Sequence, residues 1–232
     1  MLDNNNPFVF KGASKLTDDQ IIDYYISDHI FTRFIRSKRN IYLLGERGTG
    51  KTMALKYNSF PICSKVLEKN NEKQGLDLIS VYIPCKTPIT LKEDYQLLQE
   101  FEGSAISEHF FVISIMHAIV STLRSVKNLF TDDVDEKQIL KSMKYTMDLD
   151  FPTNSTLINS LSHFFQRENT RAQKAINKKD PNAFYNDAIS FSSGVMPLIS
   201  CLREIPCLQD SHFSLMFDDA HNHNIHKAKL LN

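Results

Sequence analysis

Asn40-Ile41-Tyr42-Leu43-Leu44-Gly45-Glu46-Arg47-Gly48-Thr49-Gly50-Lys51-Thr52 is the stretch whose reading decides the fold. Ile41 to Leu44 read as a short buried strand that runs straight into G-x-x-x-x-G-K-T. Met53-Ala54-Leu55-Lys56-Tyr57 then propagate a helix. Strand, glycine loop and helix in that order are the context of a phosphate-binding P-loop. Triphosphate oxygens have to be met by several backbone N–H groups at once, so the chain must curl tightly with few side chains in the way. Gly45, Gly48 and Gly50 permit the curl, and Glu46, Arg47 and Thr49 complete the cradle. The loop ends where the following helix presents the positive end of its dipole. Lys51 is placed to reach the β- and γ-phosphates, and the Thr52 hydroxyl to ligate Mg2+.

Two further segments belong to the same pattern. Leu78-Ile79-Ser80-Val81-Tyr82-Ile83-Pro84 is β-branched and nearly continuous in its apolar character, as a strand covered on both faces tends to be. With the P-loop strand and its helix it makes a βαβ unit. Phe213-Ser214-Leu215-Met216-Phe217-Asp218-Asp219-Ala220-His221 reads as an apolar strand delivering two acids at its C-terminal end. Paired with a P-loop, this is the Walker B arrangement. Asp218 holds the Mg2+ shell, and Asp219 orients or deprotonates the attacking water.

Around these motifs the chain reads as largely helical. Thr17-Asp18-Asp19-Gln20 has the form of a capping box. Ile21, Ile22, Tyr25, Ile26, His29, Ile30 and Phe34 then recur at helical spacing, predicting one helix that packs an apolar face inward and ends at Arg36 to Arg39. Arg33, Arg36, Lys38 and Arg39 are cations suited to a helix C-terminus. Pro61 kinks or ends the helix after the loop. Residues 106 to 126 are apolar almost all round, predicting a buried helix in which His109 and His117 are core or edge residues. Asp132 to Glu136 form an acidic helix entry, and 153 to 179 a long amphipathic helix. Residues 183 to 205 suggest one or two more, interrupted near Gly194 and Pro197.

The expected fold class is therefore α/β: a P-loop NTPase core with a parallel sheet in an αβα arrangement, carrying a large helical insertion and incomplete at the C-terminus. Its parts are an N-terminal helix and P-loop half over residues 1 to 105 and an insertion over 106 to 210. The Walker B strand and the start of a following helix take 211 to 232.

Composition narrows the function. Lys and Arg balance Asp and Glu at 27 each, for a net charge of zero, so DNA is a partner only through a local patch or another subunit. Cys63, Cys85, Cys201 and Cys207 form no CxxC pair, which fits reduced thiols. Cys85, just past the second strand, reads as structural. The uncharged run from Phe110 to Leu123 falls short of a membrane span. A soluble, cytoplasmic protein is expected. His221, His223 and His226 match no zinc template and read as a solvated helix start.

Asn40 to Tyr57, together with the leading Asn6-Pro7-Phe8 and the late Phe217-Asp218-Asp219-Ala220-His221, resembles the AAA-type ATPases related to origin-recognition proteins, particularly their prokaryotic stand-alone relatives. The resemblance implies ATP and Mg2+ as cofactors, held by Gly45 to Thr52 and by Asp218, with Asp219 as the hydrolytic acid. Family members commonly carry Glu at that last position, and an aspartate reaches about one methylene less far. Pro7 and Phe8 are implied near the adenine. Implied partners are further copies in a homo-oligomer, or a subunit supplying the sensor strand, arginine finger and helical lid that such ATPases carry beyond this point. DNA maintenance or defence against mobile elements is the loosely implied setting. Two other readings share the motifs: a non-hydrolysing nucleotide-dependent switch, and a small-molecule kinase, which the paired acids suit less well. ATP is the nucleotide that the resemblance implies, while the residues alone leave ATP and GTP both open.

Overall fold

In the computed structural model, residues 12–27, 29–73, 75–85, 100–126, 129, 134–151, 155–178 and 187–218 are described. The chain divides into two compact units. One comprises Met1–Tyr82 with His212–Asp218, the other Ile83–Ser211 with Asp219–Asn232.

The first unit begins with a short 3-10 turn, Ala13–Lys15, and helix α1, Asp18–Tyr24. The capping box forms as expected: Thr17 Oγ1 accepts from the Gln20 N–H, and Gln20 Oε1 accepts from the Thr17 N–H. The helix then stops at Tyr24, about three turns earlier than the apolar spacing predicts. Tyr25 turns extended, and a second helix, α2 (Ile30–Ile35), starts with His29 Nδ1 accepting from the Phe31 N–H. A side chain that caps the next helix competes with continuation of the previous one. Tyr25 is held out of helical register by stacking on Tyr57, with ring centroids 4.1 Å apart, and by a 2.6 Å hydrogen bond between its hydroxyl and that of Thr32. The break alters which residues face inward. Ile21 is buried, but Ile26, Ile30 and Phe34, expected on the packed face, are exposed.

Helix α3, Lys51–Tyr57, packs against α1, α2 and the sheet. Helix α4, Phe60–Lys69, follows after Asn58 and Ser59, with Pro61 in its first turn. A proline there forfeits no helical hydrogen bond, so it restarts the helix instead of kinking it. Buried Asn58 ties the joint together: its Nδ2 donates to Ala54 O at 2.9 Å, and its Oδ1 accepts from Arg36 Nε at 2.9 Å.

Two strands form a small parallel sheet, β1 (Leu78–Pro84) beside β2 (His212–Asp218). The third expected strand, Ile41–Leu44, does not form. Residues 40–46 have no regular structure, and Tyr42 and Leu44 are 70% and 86% exposed. Leu43 alone packs inward, against the cluster of Ile35, Ala54, Leu55 and Met216. A strand exists by virtue of a hydrogen-bonding neighbour. Among the described residues neither β1 nor β2 pairs with this stretch. An apolar, β-prone sequence without a partner strand stays an open segment.

The second unit is helical: α5 (Glu100–Leu123), α6 (Glu136–Met147), α7 (Leu157–Lys178) and α8 (Val195–Leu202), with a 3-10 turn at Pro206–Leu208. Asp135 caps α6 by accepting from the Lys137 and Gln138 N–H groups. Helix α5 is the axis, packed against α7 and α8. Ile113, Ile115, Met116 and Ile119 on it are fully buried. Ala105–Leu123 is apolar and long enough to cross a membrane, and two-thirds of it is buried inside the protein. Burying one such side chain is worth about 1.5–3 kcal/mol, so this helix supplies much of the unit's stability. Gly194, the N-cap of α8, allows a close approach: a Cβ there would stand 2.6 Å from Ile189 Cγ2 and 3.0 Å from Val112 Cγ1.

His109 lies in this core with no solvent exposure. Its Nδ1 accepts from the Ile189 N–H at 3.0 Å, and its Nε2 is 3.8 Å from Glu168 Oε2. Burial, and then the Arg171 guanidinium, push its pKa down to about 3. Glu168 does not reverse this, because its carboxylate is bound by Arg171 through Nε and Nη2 at 2.9 and 2.7 Å. The imidazole is therefore neutral, a core residue as the sequence suggests.

Candidate nucleotide site

The glycine loop is shaped by its own lysine. Lys51 Nζ turns back and donates to Gly45 O at 2.6 Å and Glu46 O at 2.8 Å, with Thr49 Oγ1 at 3.2 Å. Thr49 Oγ1 in turn donates to Glu46 O at 3.0 Å. Six residues of loop are thus closed into a ring around one ammonium group. Gly48 and Gly50 sit at φ +94° and +82°, in the left-handed region that other residues enter at a cost. Gly45 serves another purpose, since a Cβ there would lie 2.9 Å from Thr49 Oγ1. From Gly50 O the first helical bond runs to the Ala54 N–H, so the loop feeds directly into α3. Residues 45–50 are all exposed. The loop faces solvent and is open to a ligand.

Across from it, β2 ends at Asp218, which is 7% exposed. Thr52 Oγ1 donates to Asp218 Oδ1 at 3.1 Å, joining residues 166 positions apart. Tyr82 of β1 donates its phenolic O–H to Asp218 Oδ2 at 2.7 Å. The Lys56 ammonium lies 5.8 Å from the centre of the Tyr82 ring, and it also donates to Ala13 O and Ser14 O.

Thr52 and Asp218 are thus brought together, while Lys51, their neighbour in the chain, keeps its ammonium on the loop oxygens. Asp219, the expected hydrolytic acid, lies outside the described residues, as do Pro7, Phe8, His221, His223 and His226. Among the described residues no three His, Cys, Asp or Glu side chains cluster as metal ligands. A hydroxyl and a carboxylate side by side are hard oxygen donors, the set that suits Mg2+ when phosphate oxygens and water complete its shell. The donor chemistry therefore fits Mg2+. None of the four cysteines is in a disulfide, and Cys85 is buried, with its thiol directed at Ile83 O. Burial raises the Cys63 pKa in spite of the Arg36 guanidinium beside it, so this thiol is not activated. Tyr82 is the residue the sequence reading missed. Its one signal was a phenol inside a largely aliphatic strand, since a buried tyrosine hydroxyl needs a partner.

No curated protein and no solved structure is measurably similar to this chain. The ORC-CDC6-like family model matches residues 6–232, nearly its whole length. A match to that family implies an AAA-type nucleotide-binding module, and the chain belongs to the ORC-CDC6-like family.

Proposed function

We propose that the protein binds ATP with Mg2+ and hydrolyses it slowly, as the P-loop part of an ATPase whose turnover drives a conformational change in a larger, DNA-associated or defence assembly. The bond between Thr52 and Asp218 is the observation that carries this reading, because nothing in local sequence requires those two residues to meet. Gly45 to Thr52 cradle the triphosphate, and Lys51 is drawn from the loop carbonyls to the β- and γ-phosphates. Thr52 and Asp218 would hold Mg2+, which would supply positive charge beside the phosphate oxygens. Asp219 orients the attacking water. The P-loop core is completed as an αβα sheet by a strand pairing with residues 40–44, and further copies or a partner subunit supply an arginine finger.

Such a finger contributes about 10³ to 10⁵ in rate. The isolated chain is therefore expected to release phosphate from ATP slowly, and Asp219→Asn to abolish the release while nucleotide binding persists. Unchanged release by Asp219→Asn would overturn the role given to that carboxylate. The non-hydrolysing switch draws support from the short reach of Asp219. It predicts Mg2+-dependent ATP binding with no release above the Lys51→Ala background.

A further inference from the structure

We propose that Tyr82 is a positioning residue for Mg2+: its hydroxyl fixes the Asp218 carboxylate so that nucleotide and metal bind together. This rests on the reading of Asp218 as the metal-holding carboxylate. Along β1, Ile79, Ser80, Val81 and Ile83 are buried, while Tyr82 is half-buried and packs beside Ile35, Ala54, Leu55 and Met216. Phenylalanine satisfies that packing equally well. The hydroxyl adds a bond of 2.7 Å to Asp218 Oδ2.

That bond changes what the carboxylate can do. Thr52 alone, at Oδ1, leaves an aspartate free to rotate about the bond to its carboxyl group. With Tyr82 on Oδ2, both oxygens are tied from opposite elements, α3 and β1, and the plane of the carboxylate is set. Each oxygen keeps a second acceptor site, available to a cation or to the water around it. Outer partners of this kind orient a ligand before the metal arrives, and losing one typically weakens metal binding about 10- to 100-fold. Tyr82 is itself steadied by Lys56, whose ammonium lies 5.8 Å from the ring centre while anchored on Ala13 O and Ser14 O.

The test compares ATP affinity in EDTA and in Mg2+ by calorimetry, for the wild-type chain, Tyr82→Phe, Tyr82→Leu and Asp218→Asn. A variant qualifies by a cooperative thermal melt, and Tyr82→Leu carries the test if Tyr82→Phe does not qualify. Tyr82→Phe should keep the metal-free ATP affinity and lose about 10-fold or more of the gain that Mg2+ confers. Asp218→Asn should lose the gain altogether. A full gain in a qualified variant lacking the hydroxyl overturns the proposal while leaving the ATPase reading intact. Equal losses with and without Mg2+ also overturn it, since they mark a merely structural role. Absence of ATP binding by the wild-type chain defeats the ATPase reading itself.

Discussion

Lowering the pH should loosen the helical unit through one histidine. His109 is neutral in the folded protein, with its pKa pushed down to about 3 by burial and by Arg171, whereas in the unfolded chain it titrates near the ordinary value of 6.5. The groups facing it are Glu168 and Arg171 on α7 and the Ile189 N–H. A base whose folded pKa is depressed takes up more protons when unfolded. Its contribution is therefore complete above about pH 6.5 and declines as the pH falls from there toward 3. At pH 5 the unfolded imidazole is favoured by protonation about thirty-fold over the folded one, which is about 2 kcal/mol. The assay is urea unfolding followed by helical circular dichroism at pH 7.5 and 5.0, for the wild type and for His109→Asn. Asparagine keeps an acceptor for the Ile189 N–H but does not titrate. It should be less stable at pH 7.5 because it leaves a gap, yet lose about 2 kcal/mol less than the wild type on acidification. Equal losses in the two proteins would refute the assignment of a neutral, buried His109.

Other substitutions probe backbone and packing. Gly194→Ala would drive a methyl into Ile189, Val112 and Met116, and should cost about 1–3 kcal/mol, read as a lower unfolding midpoint with the same slope. Gly50→Ala has open space around it but a φ of +82°, so the strain of about 1 kcal/mol should appear as weakened ATP binding with little change in melting temperature. A normal ATP affinity in Gly50→Ala would show that the left-handed turn is dispensable.

How much of this was legible in the sequence depended on whether the governing interaction was local. The capping box at Thr17 and the β-branched run of β1 carry their structural cause within a few positions and formed as read, and the left-handed turns at Gly48 and Gly50 are equally local. The strand at 40–44 failed because its cause is a neighbour: composition makes Ile41 to Leu44 β-prone, but only a partner strand makes them a strand. The helix over 18–36 failed for the opposite reason. Its apolar spacing was regular, but the Tyr25–Tyr57 stack and the His29 cap, invisible to periodicity, divide it and leave Ile30 and Phe34 on the surface. In the site, motif spacing pointed to Lys51, Thr52 and Asp218. It could not reveal Tyr82, whose register against Asp218 is set by strand pairing across more than a hundred residues.

The central claim is that the loop around Lys51 is a working phosphate site. The most direct test is calorimetric titration of the purified chain with ATP, in EDTA and in Mg2+, beside Lys51→Ala. The account predicts saturable binding in the micromolar range, strengthened by Mg2+ and lost in Lys51→Ala. Absence of binding, or binding that survives the loss of Lys51, would contradict it.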